Sequence, residues 1–195
     1  MVSLEILDLR NNRLRDVIPT SIHNLTKLTG TVLHLGQNYL SQCIPSDIGH
    51  LKELQILDLE FNCFEGAVPS ELGKLHKLSH LSLNSNLITS IPSELWTLSN
   101  LEFLKLNNNP YLRMKIPFEI GNLKRLRIMQ MHAMNLYGSI PPEIGKLTNL
   151  ESLYLNDNYL SGEVPKEINQ LVNLRHGSLR NNSKLACSFD FHQFI

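Results

Sequence analysis

The sequence has 195 residues, 42% of them hydrophobic, and its eighteen Lys and Arg side chains balance eighteen Asp and Glu side chains. This composition predicts a folded, soluble chain rather than a disordered one. The lack of a basic excess argues against a nucleic-acid-binding protein. No stretch approaches the roughly 18 apolar residues that a membrane-spanning helix needs. The first residues contain neither the basic nor the apolar segment of a signal peptide, so none is expected in this chain.

A unit of about 24 residues repeats along the chain, and such a period decides the fold before any single residue does. Its clearest copy runs from Leu150 to Leu174, and the copies share the pattern L-x-x-L-x-L-x-x-N-x-L-x-G-x-I-P-x-x-L-G-x-L. The copies, numbered here as repeats 1 to 8, begin at Leu4, Leu28, Leu54, Leu78, Leu101, Leu126, Leu150 and Leu174. The first seven are complete and the eighth is partial.

The first half of this pattern resembles the leucine-rich repeat, and its I-P-x-x-L-G half resembles the plant-specific subclass of that family. The subclass occurs in the ectodomains of plant receptor-like kinases and receptor-like proteins, and in polygalacturonase-inhibiting proteins. The resemblance implies an α/β solenoid of about eight repeats, a right-handed superhelix with a parallel concave β-sheet and short 3-10 or irregular convex segments. Each repeat is expected to supply one strand, with two leucines pointing inward and the residues between them outward.

Three repeats depart from the regular length. Repeat 2 has two extra residues near Gly30 and Thr31, so we expect a bulge or loop before a strand that is registered on Leu33 and Leu35. Repeat 4 is one residue short and repeat 5 one residue long. Both changes follow the strand, where turns absorb them, so the concave sheet is expected to keep its register.

One asparagine recurs at the turn that leaves each strand. Its amide both donates and accepts, so it can satisfy backbone groups of two repeats, and the family resemblance implies a continuous hydrogen-bonded ladder. Repeat 6 carries Met134 at this position and Asn135 one residue later, so either the ladder has a gap or the turn shifts to use Asn135. The predicted ladder residues, all expected to turn inward, are Asn12, Asn38, Asn62, Asn86, Asn109, Asn158 and Asn182.

An Ile-Pro or Val-Pro pair occurs in all seven complete repeats. Proline has a fixed φ and no N–H, which suits the irregular convex side. In four repeats a glycine follows, and we expect it to adopt a positive φ at the end of a short helical turn; these are Gly49, Gly73, Gly121 and Gly145. His23, Trp96 and Asn169 replace it in the other three, whose turns are expected to be less regular.

The repeat array is predicted to span residues 1–182, and residues 183–195 resemble a degenerate C-terminal cap whose three phenylalanines cover the last leucines. The N-terminal cap that is common in the family is missing. The chain is therefore expected to be a fragment of a longer parent or a degenerate gene product. Cys43, Cys63 and Cys187 occupy three different repeat positions, so all three are expected to be free thiols.

Little in the sequence predicts catalysis or metal binding. Four outward histidines lie in different repeats, too far apart to place several ligands within about 2 Å of one ion; they are His34, His80, His132 and His176. Gly73 and Gly145 precede lysines, but the Ser or Thr of a phosphate-binding loop does not follow. No kinase motif or nucleophile elbow is present. We therefore expect no enzyme, no cofactor and no metal.

The outward residues of the predicted concave sheet form a mixed, polar surface with a few aromatic side chains. Such aromatics are typical anchors for protein partners. Asn84 is expected to face solvent on this surface. The candidate partner-binding residues are Asp58, Glu60, Phe61, His80, Phe103, Lys105, His132 and Tyr154.

The favoured interpretation is a module that binds a protein or peptide, as receptor ectodomains do in signalling or defence. An intracellular interaction scaffold and a secreted enzyme inhibitor of the polygalacturonase-inhibitor type are the alternatives. If the parent is a receptor, the resemblance implies an extracellular or membrane-anchored location, with any kinase domain outside this chain. Glycosylation sequons at Asn24 and Asn181 are weak support, because such triplets arise by chance in asparagine-rich repeats.

Overall fold

The computed structural model of the chain describes residues 5–27 and 32–186. A typical repeat runs through a strand, a tight turn, a second short strand and a 3-10 helix. The strands are β1 (Ile6–Asp8), β2 (Arg15–Asp16), β3 (Val32–His34), β4 (Tyr39–Gln42), β5 (Ile56–Asp58), β6 (Cys63–Ala67), β7 (His80–Ser82), β8 (Leu87–Ser90), β9 (Phe103–Lys105), β10 (Ile128–Gln130), β11 (Tyr137–Gly138), β12 (Ser152–Tyr154), β13 (Tyr159–Glu163), β14 (His176–Ser178) and β15 (Lys184–Ala186). The 3-10 helices are η1 (Thr20–Lys27), η2 (Ser46–His50), η3 (Ser70–Lys74), η4 (Ser93–Thr97), η5 (Phe118–Asn122), η6 (Pro142–Lys146) and η7 (Lys166–Gln170).

The first strand of every repeat joins one eight-stranded parallel sheet, in the order β1-β3-β5-β7-β9-β10-β12-β14. Its central leucines are in register, since Leu57 pairs with Leu81 and Leu81 with Leu104, and all three are fully buried. Leu104 in turn pairs with Met129. The unequal lengths of repeats 4 and 5 therefore leave the sheet undisturbed, and the predicted α/β solenoid with a parallel concave sheet is confirmed.

Repeat 2 joins this sheet as predicted. Leu33 pairs with Leu57, and both Leu33 and Leu35 are buried. The bulge predicted near Gly30 and Thr31 lies outside the described residues.

The prediction of one strand per repeat was wrong. A second set of short strands forms two further parallel sheets, β2-β4-β6-β8 and β11-β13-β15, and the interruption falls at repeat 5. There Pro110 follows the ladder residue Asn109, and the N–H of Leu112 donates to the Asn109 carbonyl at 3.0 Å. Since proline offers no N–H for strand pairing, the extra residue of repeat 5 closes a local turn where the other repeats place a strand.

The described part of the predicted cap contains β15, which pairs with β13 through Gly162 and Leu185. Lys184–Ala186 thus forms the last strand of the three-stranded sheet β11-β13-β15. The remainder, with Cys187 and the three phenylalanines, lies outside the described residues.

The convex side consists of the 3-10 helices, which begin directly after the proline of each pair. Pro69, for example, has φ −67° and ψ 139°, and η3 starts at the next residue. A Cβ atom placed on Gly73 would lie 2.6 Å from the Cβ atom of Glu94 in the next repeat. The predicted reason for the glycines was therefore wrong: they allow successive helices to stack closely, and no positive φ occurs at Gly49, Gly73, Gly121 or Gly145.

Two repeats without this glycine have regular turns all the same, contrary to expectation. η4 contains Trp96 and η7 contains Asn169, yet each spans five residues like η3. The eight-residue η1, which contains His23, does differ. Because the buried Trp96 fits a regular turn, the turn geometry itself does not require glycine.

Six of the seven predicted ladder asparagines are buried: Asn38, Asn62, Asn86, Asn109, Asn158 and Asn182. Asn62 shows their role, since its Nδ2 donates to the Leu35 carbonyl at 3.0 Å and its Oδ1 accepts from the N–H of Leu40 at 3.0 Å. Both partners belong to the preceding repeat. Each such asparagine therefore ties two repeats together through backbone groups that would otherwise be buried without partners.

Asn12 has the local half of this bonding, since Nδ2 of Asn38 likewise donates to two carbonyls of its own repeat, those of Leu35 and Gly36. The Asn12 side chain is exposed, and its Nδ2 donates to the carbonyls of Leu9 and Arg10 in its own repeat. Among the described residues, both of these bonds therefore stay within repeat 1.

The ladder has a gap at repeat 6, which decides between the two alternatives for that turn. Met134 is buried, and Asn135 donates to the Pro110 carbonyl, outside the ladder. The preceding residue, Ala133, has φ 50°, close to the 57° of Asn108 in repeat 5. The turn is therefore not shifted, and methionine simply replaces asparagine in it.

A second asparagine column was missed in the sequence. Each member is the last residue of its repeat, just before the first leucine of the next, and donates through Nδ2 to a carbonyl of the preceding repeat at 2.7 or 2.8 Å; they are Asn100, Asn149 and Asn173. Within the described ranges, no helix has the length and apolar character that crossing a bilayer requires.

Candidate functional site

The outward residues of the concave sheet fall into four columns, each with one residue per repeat. In repeat 4 the columns are represented by His80, Ser82, Asn84 and Ser85, which alternate with or follow the buried leucines of the strand. Columns 1 and 2 are the first and last residues of the strand, and columns 3 and 4 lead into the turn. Since neighbouring strands are about 4.8 Å apart, each column is a row of side chains at that spacing.

Column 1 is apolar or aromatic over six consecutive repeats. This apolar lane consists of Ile6, Val32, Ile56, His80, Phe103 and Ile128. Ile6 is exposed and the other five are half-buried, so the lane offers apolar surface to solvent over about 24 Å. Sequence reasoning found only His80 and Phe103, although the repeated apolar residue just before an inward leucine would have revealed the rest.

The structure brings two of the predicted site residues into direct contact in this lane. The rings of His80 and Phe103 stack, with centroids 4.1 Å apart and planes 14° from parallel. The guanidinium of Arg127 lies 5.8 Å from the centroid of the Phe103 ring and forms an ion pair with Glu151 at 2.9 Å. Phe103 is therefore held on both sides, which fixes the orientation of its ring.

A second pair lies two repeats further along the sheet. His132 meets Tyr154 edge to face, with ring centroids 6.2 Å apart and planes at 72°. Lys105, in column 2, is half-buried and ends the strand that begins with Phe103, next to the repeat that contains His132. The predicted residues His80, Phe103, Lys105, His132 and Tyr154 thus form one continuous region.

Both histidines of this region are biased toward the neutral form. Burial lowers the pKa of His80, Lys105 adds to this effect, and Glu102 opposes it. Burial likewise lowers the pKa of His132, against the opposing charge of Asp157. At neutral pH the region therefore carries Lys105 as its main positive charge.

Asp58 differs from its predicted role as an exposed contact residue. It is 7% exposed, and its Oδ2 lies 3.2 Å from Nδ1 of His34, while its Oδ1 accepts from the N–H of Glu60 at 3.1 Å. Both oxygens of its carboxylate therefore already have contacts within the protein. Glu60, which is half-buried, is the more accessible acid of repeat 3.

Phe61 lies apart from the other predicted residues. It occupies column 4, where the backbone is left-handed, with φ 50° at Phe61 itself, and its side chain is 50% exposed. Together with turn residues of repeats 1 to 3 it lines a depression of about 560 Å³, whose other residues are Asn11, Asn12, Gln37, Asn38 and Tyr39. Phe61 therefore belongs to the turn side of the solenoid rather than to the apolar lane.

Column 3 contains a group that the sequence did not reveal. Asn84 and Asn107 are only 5% and 6% exposed, so the expectation that Asn84 faces solvent freely was wrong. The Oδ1 atoms of both, and Nδ1 of His132 in the next repeat, are buried without a hydrogen-bond partner among the described residues. Three adjacent repeats thus hold unpartnered polar atoms in one row.

Metal ligation finds no support in the described part of the chain. No group of three or more His, Cys, Asp or Glu side chains converges there. Cys43 and Cys63 are exposed free thiols, as predicted, and Cys187 lies outside the described residues.

The concave sheet, the asparagine ladder and the 3-10 helices together define a leucine-rich repeat protein. A family model described as a leucine-rich repeat region matches residues 32–137, and a second leucine-rich repeat model matches residues 3–25 and 149–171. The chain belongs to the leucine-rich repeat family.

Individual relatives are plant receptors. The chain is 54% identical over 57 residues to the LRR receptor-like serine/threonine-protein kinase EFR of Arabidopsis thaliana, an alignment that covers 29% of the chain and 5% of that kinase. The solved structure of the plant peptide hormone receptor RGFR1 in complex with RGF2 matches with a TM-score of 0.88 and 34% identity, covering 95% of this chain and 29% of that one.

A second solved structure is the LRR ectodomain of the membrane receptor kinase GASSHO1/SCHENGEN3 from Arabidopsis thaliana, in complex with CASPARIAN STRIP INTEGRITY FACTOR 2. It matches with a TM-score of 0.86 and 35% identity, covering 94% of this chain and 24% of that one. The chain thus spans less than a third of the length of each of these receptors.

Proposed function

We propose that this chain is a ligand-binding part of a plant-type receptor ectodomain and that it binds a peptide, or an extended segment of a protein, along its concave sheet. The contact region spans repeats 3 to 7. Phe103 and Tyr154 serve as anchors, and Lys105 orients the ligand through its charge.

The proposal rests on one observation, which is that the apolar lane lies beside the mostly polar residues of columns 2 and 3. Apolar side chains that stay half-exposed along one face of a sheet offer contact area to a partner. The lane and columns 2 and 3 are mounted on hydrogen-bonded parallel strands. Their side chains are therefore pre-organised, and binding loses little ordering entropy.

The relatives support the same reading. RGFR1 and GASSHO1/SCHENGEN3 are described as complexes with RGF2 and CASPARIAN STRIP INTEGRITY FACTOR 2, and the first is called a peptide hormone receptor. The likeness to each, at 34% and 35% identity over nearly the whole chain, favours the same kind of ligand here. A catalytic role gains no support from any described cluster of side chains.

The test is a selection of peptide ligands followed by substitutions on the two faces. A phage library of random twelve-residue peptides is selected on the intact chain, and the affinities of the enriched peptides are measured. Phe103→Ala, Tyr154→Ala and Lys105→Glu should each weaken binding by about tenfold or more, as interface anchors do. Each variant should melt close to the parent.

Matched controls lie on the convex side, where Lys74 and Lys146 are exposed. Lys74→Glu and Lys146→Glu should leave peptide binding unchanged. If these two weaken binding and the three concave variants do not, the concave site is wrong. If no peptide is enriched, peptide binding itself is wrong.

A further inference from the structure

One turn residue in every repeat has a left-handed backbone, and in repeat 3 that residue is Phe61. The eight members of column 4 all have φ values between 50° and 57°; they are Asn11, Gln37, Phe61, Ser85, Asn108, Ala133, Asp157 and Asn181. Asparagine and aspartate tolerate this conformation, whereas a bulky side chain is seldom found in it. Phe61 is the one aromatic residue of the column.

The Phe61 ring is also poorly covered by the rest of the protein. Its side chain is 50% exposed, whereas Phe64 in the same repeat is fully buried. Packing within the protein therefore accounts for only half of the Phe61 side chain. Strained backbone positions of this kind cluster at sites that contact ligands.

Phe61 shares its surroundings with a second exposed aromatic ring. Tyr39 is 55% exposed, and both rings line the depression of about 560 Å³ on the turn side of repeats 1 to 3. The guanidinium of Arg15 lies 5.6 Å from the centroid of the Tyr39 ring. This volume falls within the range of small-ligand sites, which are commonly lined by aromatic side chains and a few polar groups.

The polar groups of this depression are mainly amides. Asn38 is used by the ladder, since its Nδ2 donates to the Leu9 carbonyl at 2.9 Å and its Oδ1 accepts from the N–H of Leu14 at 3.0 Å. The side chains of Asn11 and Gln37 are exposed, so their amides are open to solvent. An amide both donates and accepts hydrogen bonds, as a hydroxyl group does.

Charge selects among the ligands that could bind here. Among the described residues that line the depression, none carries a charge at neutral pH. A charged ligand would lose hydration there without gaining a counter-charge. A sugar is uncharged and presents two kinds of surface on one ring, because its apolar C–H face stacks on an aromatic side chain and its hydroxyl groups exchange hydrogen bonds with amides.

We propose that Tyr39, Phe61, Asn11 and Gln37 form a binding site for an uncharged oligosaccharide. The two rings stack on the faces of its sugars, and the two amides bind its hydroxyl groups. This site goes beyond the peptide binding proposed for the concave sheet and uses none of its anchors.

The test is calorimetric titration of the intact chain with uncharged oligosaccharides that differ in their hydroxyl and acetamide groups, namely cellotetraose, xylotetraose, mannotetraose and chitotetraose. At least one of them should bind. Tyr39→Ala and Phe61→Asn should each weaken that binding by about tenfold or more, since each removes an anchoring ring. Tetragalacturonate, which is charged, should bind more weakly than the best uncharged oligosaccharide.

Stability separates a ligand-binding role of Phe61 from a structural one. Because asparagine tolerates a left-handed backbone better than phenylalanine does, the melting temperature of Phe61→Asn should be equal to or above that of the parent. A structural role would lower it. Gln37→Leu, at an exposed position, leaves both rings in place and should weaken oligosaccharide binding while melting close to the parent.

Tyr159→Ala is the matched control. Tyr159 directly follows a ladder asparagine, as Tyr39 does, and is 68% exposed, but the column 4 residue of the next repeat is Asn181 rather than an aromatic one. Tyr159→Ala should leave oligosaccharide binding unchanged. Phe103→Ala, on the concave sheet, should leave it unchanged as well.

Three results would overturn the proposal. The first is that no uncharged oligosaccharide binds, or that tetragalacturonate binds more tightly than all of them. The second is an equal loss of binding in Tyr39→Ala and Tyr159→Ala, which would mean that exposed tyrosines in general contact the sugar. The third is a loss of affinity for phage-selected peptides on Phe61→Asn without any oligosaccharide binding, which would make the depression a peptide site.

Discussion

The Oδ1 atom of Asn158 accepts a hydrogen bond from the backbone N–H of Met134 at 3.2 Å, in the repeat that lacks its own ladder asparagine. The same oxygen accepts from the N–H of Leu136 at 3.1 Å. On the far side of the gap, the N–H of Leu112 is already bonded to the Asn109 carbonyl. The N–H groups of Leu112, Met134 and Leu136 therefore already have acceptors and do not need an amide at position 134.

Met134→Asn should consequently destabilise the protein by about 1–3 kcal/mol, because the new amide oxygen would be buried without a donor. Met134→Leu, which keeps the volume and the apolar character, should lose less than about 1.5 kcal/mol. Urea unfolding of both variants measures the difference. A gain in stability for the asparagine variant would show that the gap is a defect of the ladder.

Asn62→Ala should lower the free energy of unfolding by about 1–3 kcal/mol more than Asn12→Ala does. Asn62 is buried and bonds to Leu35 and Leu40 of the preceding repeat, whereas Asn12 is exposed and bonds within its own repeat. Denaturant midpoints and m-values of the two variants provide the comparison. Equal midpoints would mean that the ladder bonds contribute no more than local ones.

Much of the fold could be predicted because the same residue pattern recurs in successive repeats. The inward leucines and the ladder asparagines recur at fixed spacing, so the parallel sheet and its register follow from one copy. The two smaller sheets were missed because strands as short as Tyr137–Gly138 contain too few residues to show an alternation of apolar and polar side chains. The glycines were misread because a positive φ and a close approach both favour glycine, and only the position of Glu94 beside Gly73 distinguishes them.

The candidate site was predictable in its location but not in its details. Strand alternation correctly assigns Asn84 and Asp58 to the concave side. It does not reveal how far neighbouring repeats cover them, and both are more than nine-tenths buried. The pairing of His80 with Phe103 depends on rotamers in two adjacent repeats, which a single sequence pattern does not specify.

Gly73→Ala should destabilise the protein by about 1–3 kcal/mol through overpacking, since the new Cβ would approach the Glu94 carbonyl oxygen to 2.8 Å. Asn169→Ala is the matched control at the same repeat position, where the side chain is exposed, and should be nearly neutral. Thermal unfolding of both variants tests the contrast. A stable Gly73→Ala protein would mean that the stacked 3-10 helices can separate at little cost.

Acidification should weaken the fold through His80 and His132. Burial lowers the pKa of both in the folded state, while the unfolded chain titrates near the ordinary value of about 6.5. Between the two values the unfolded chain binds more protons, so the stability present above pH 6.5 is lost as the pH falls through this window and then levels off below the folded pKa.

The double variant His80→Phe and His132→Phe should therefore show a shallower decrease in the free energy of unfolding between about pH 7 and pH 5 than the parent. His176→Gln, at an exposed position of the same sheet, serves as the control and should follow the parent. Parallel curves for the parent and the double variant would exclude burial of these two rings as the source of acid sensitivity, and ring-proton NMR titration of the parent would measure the two pKa values directly.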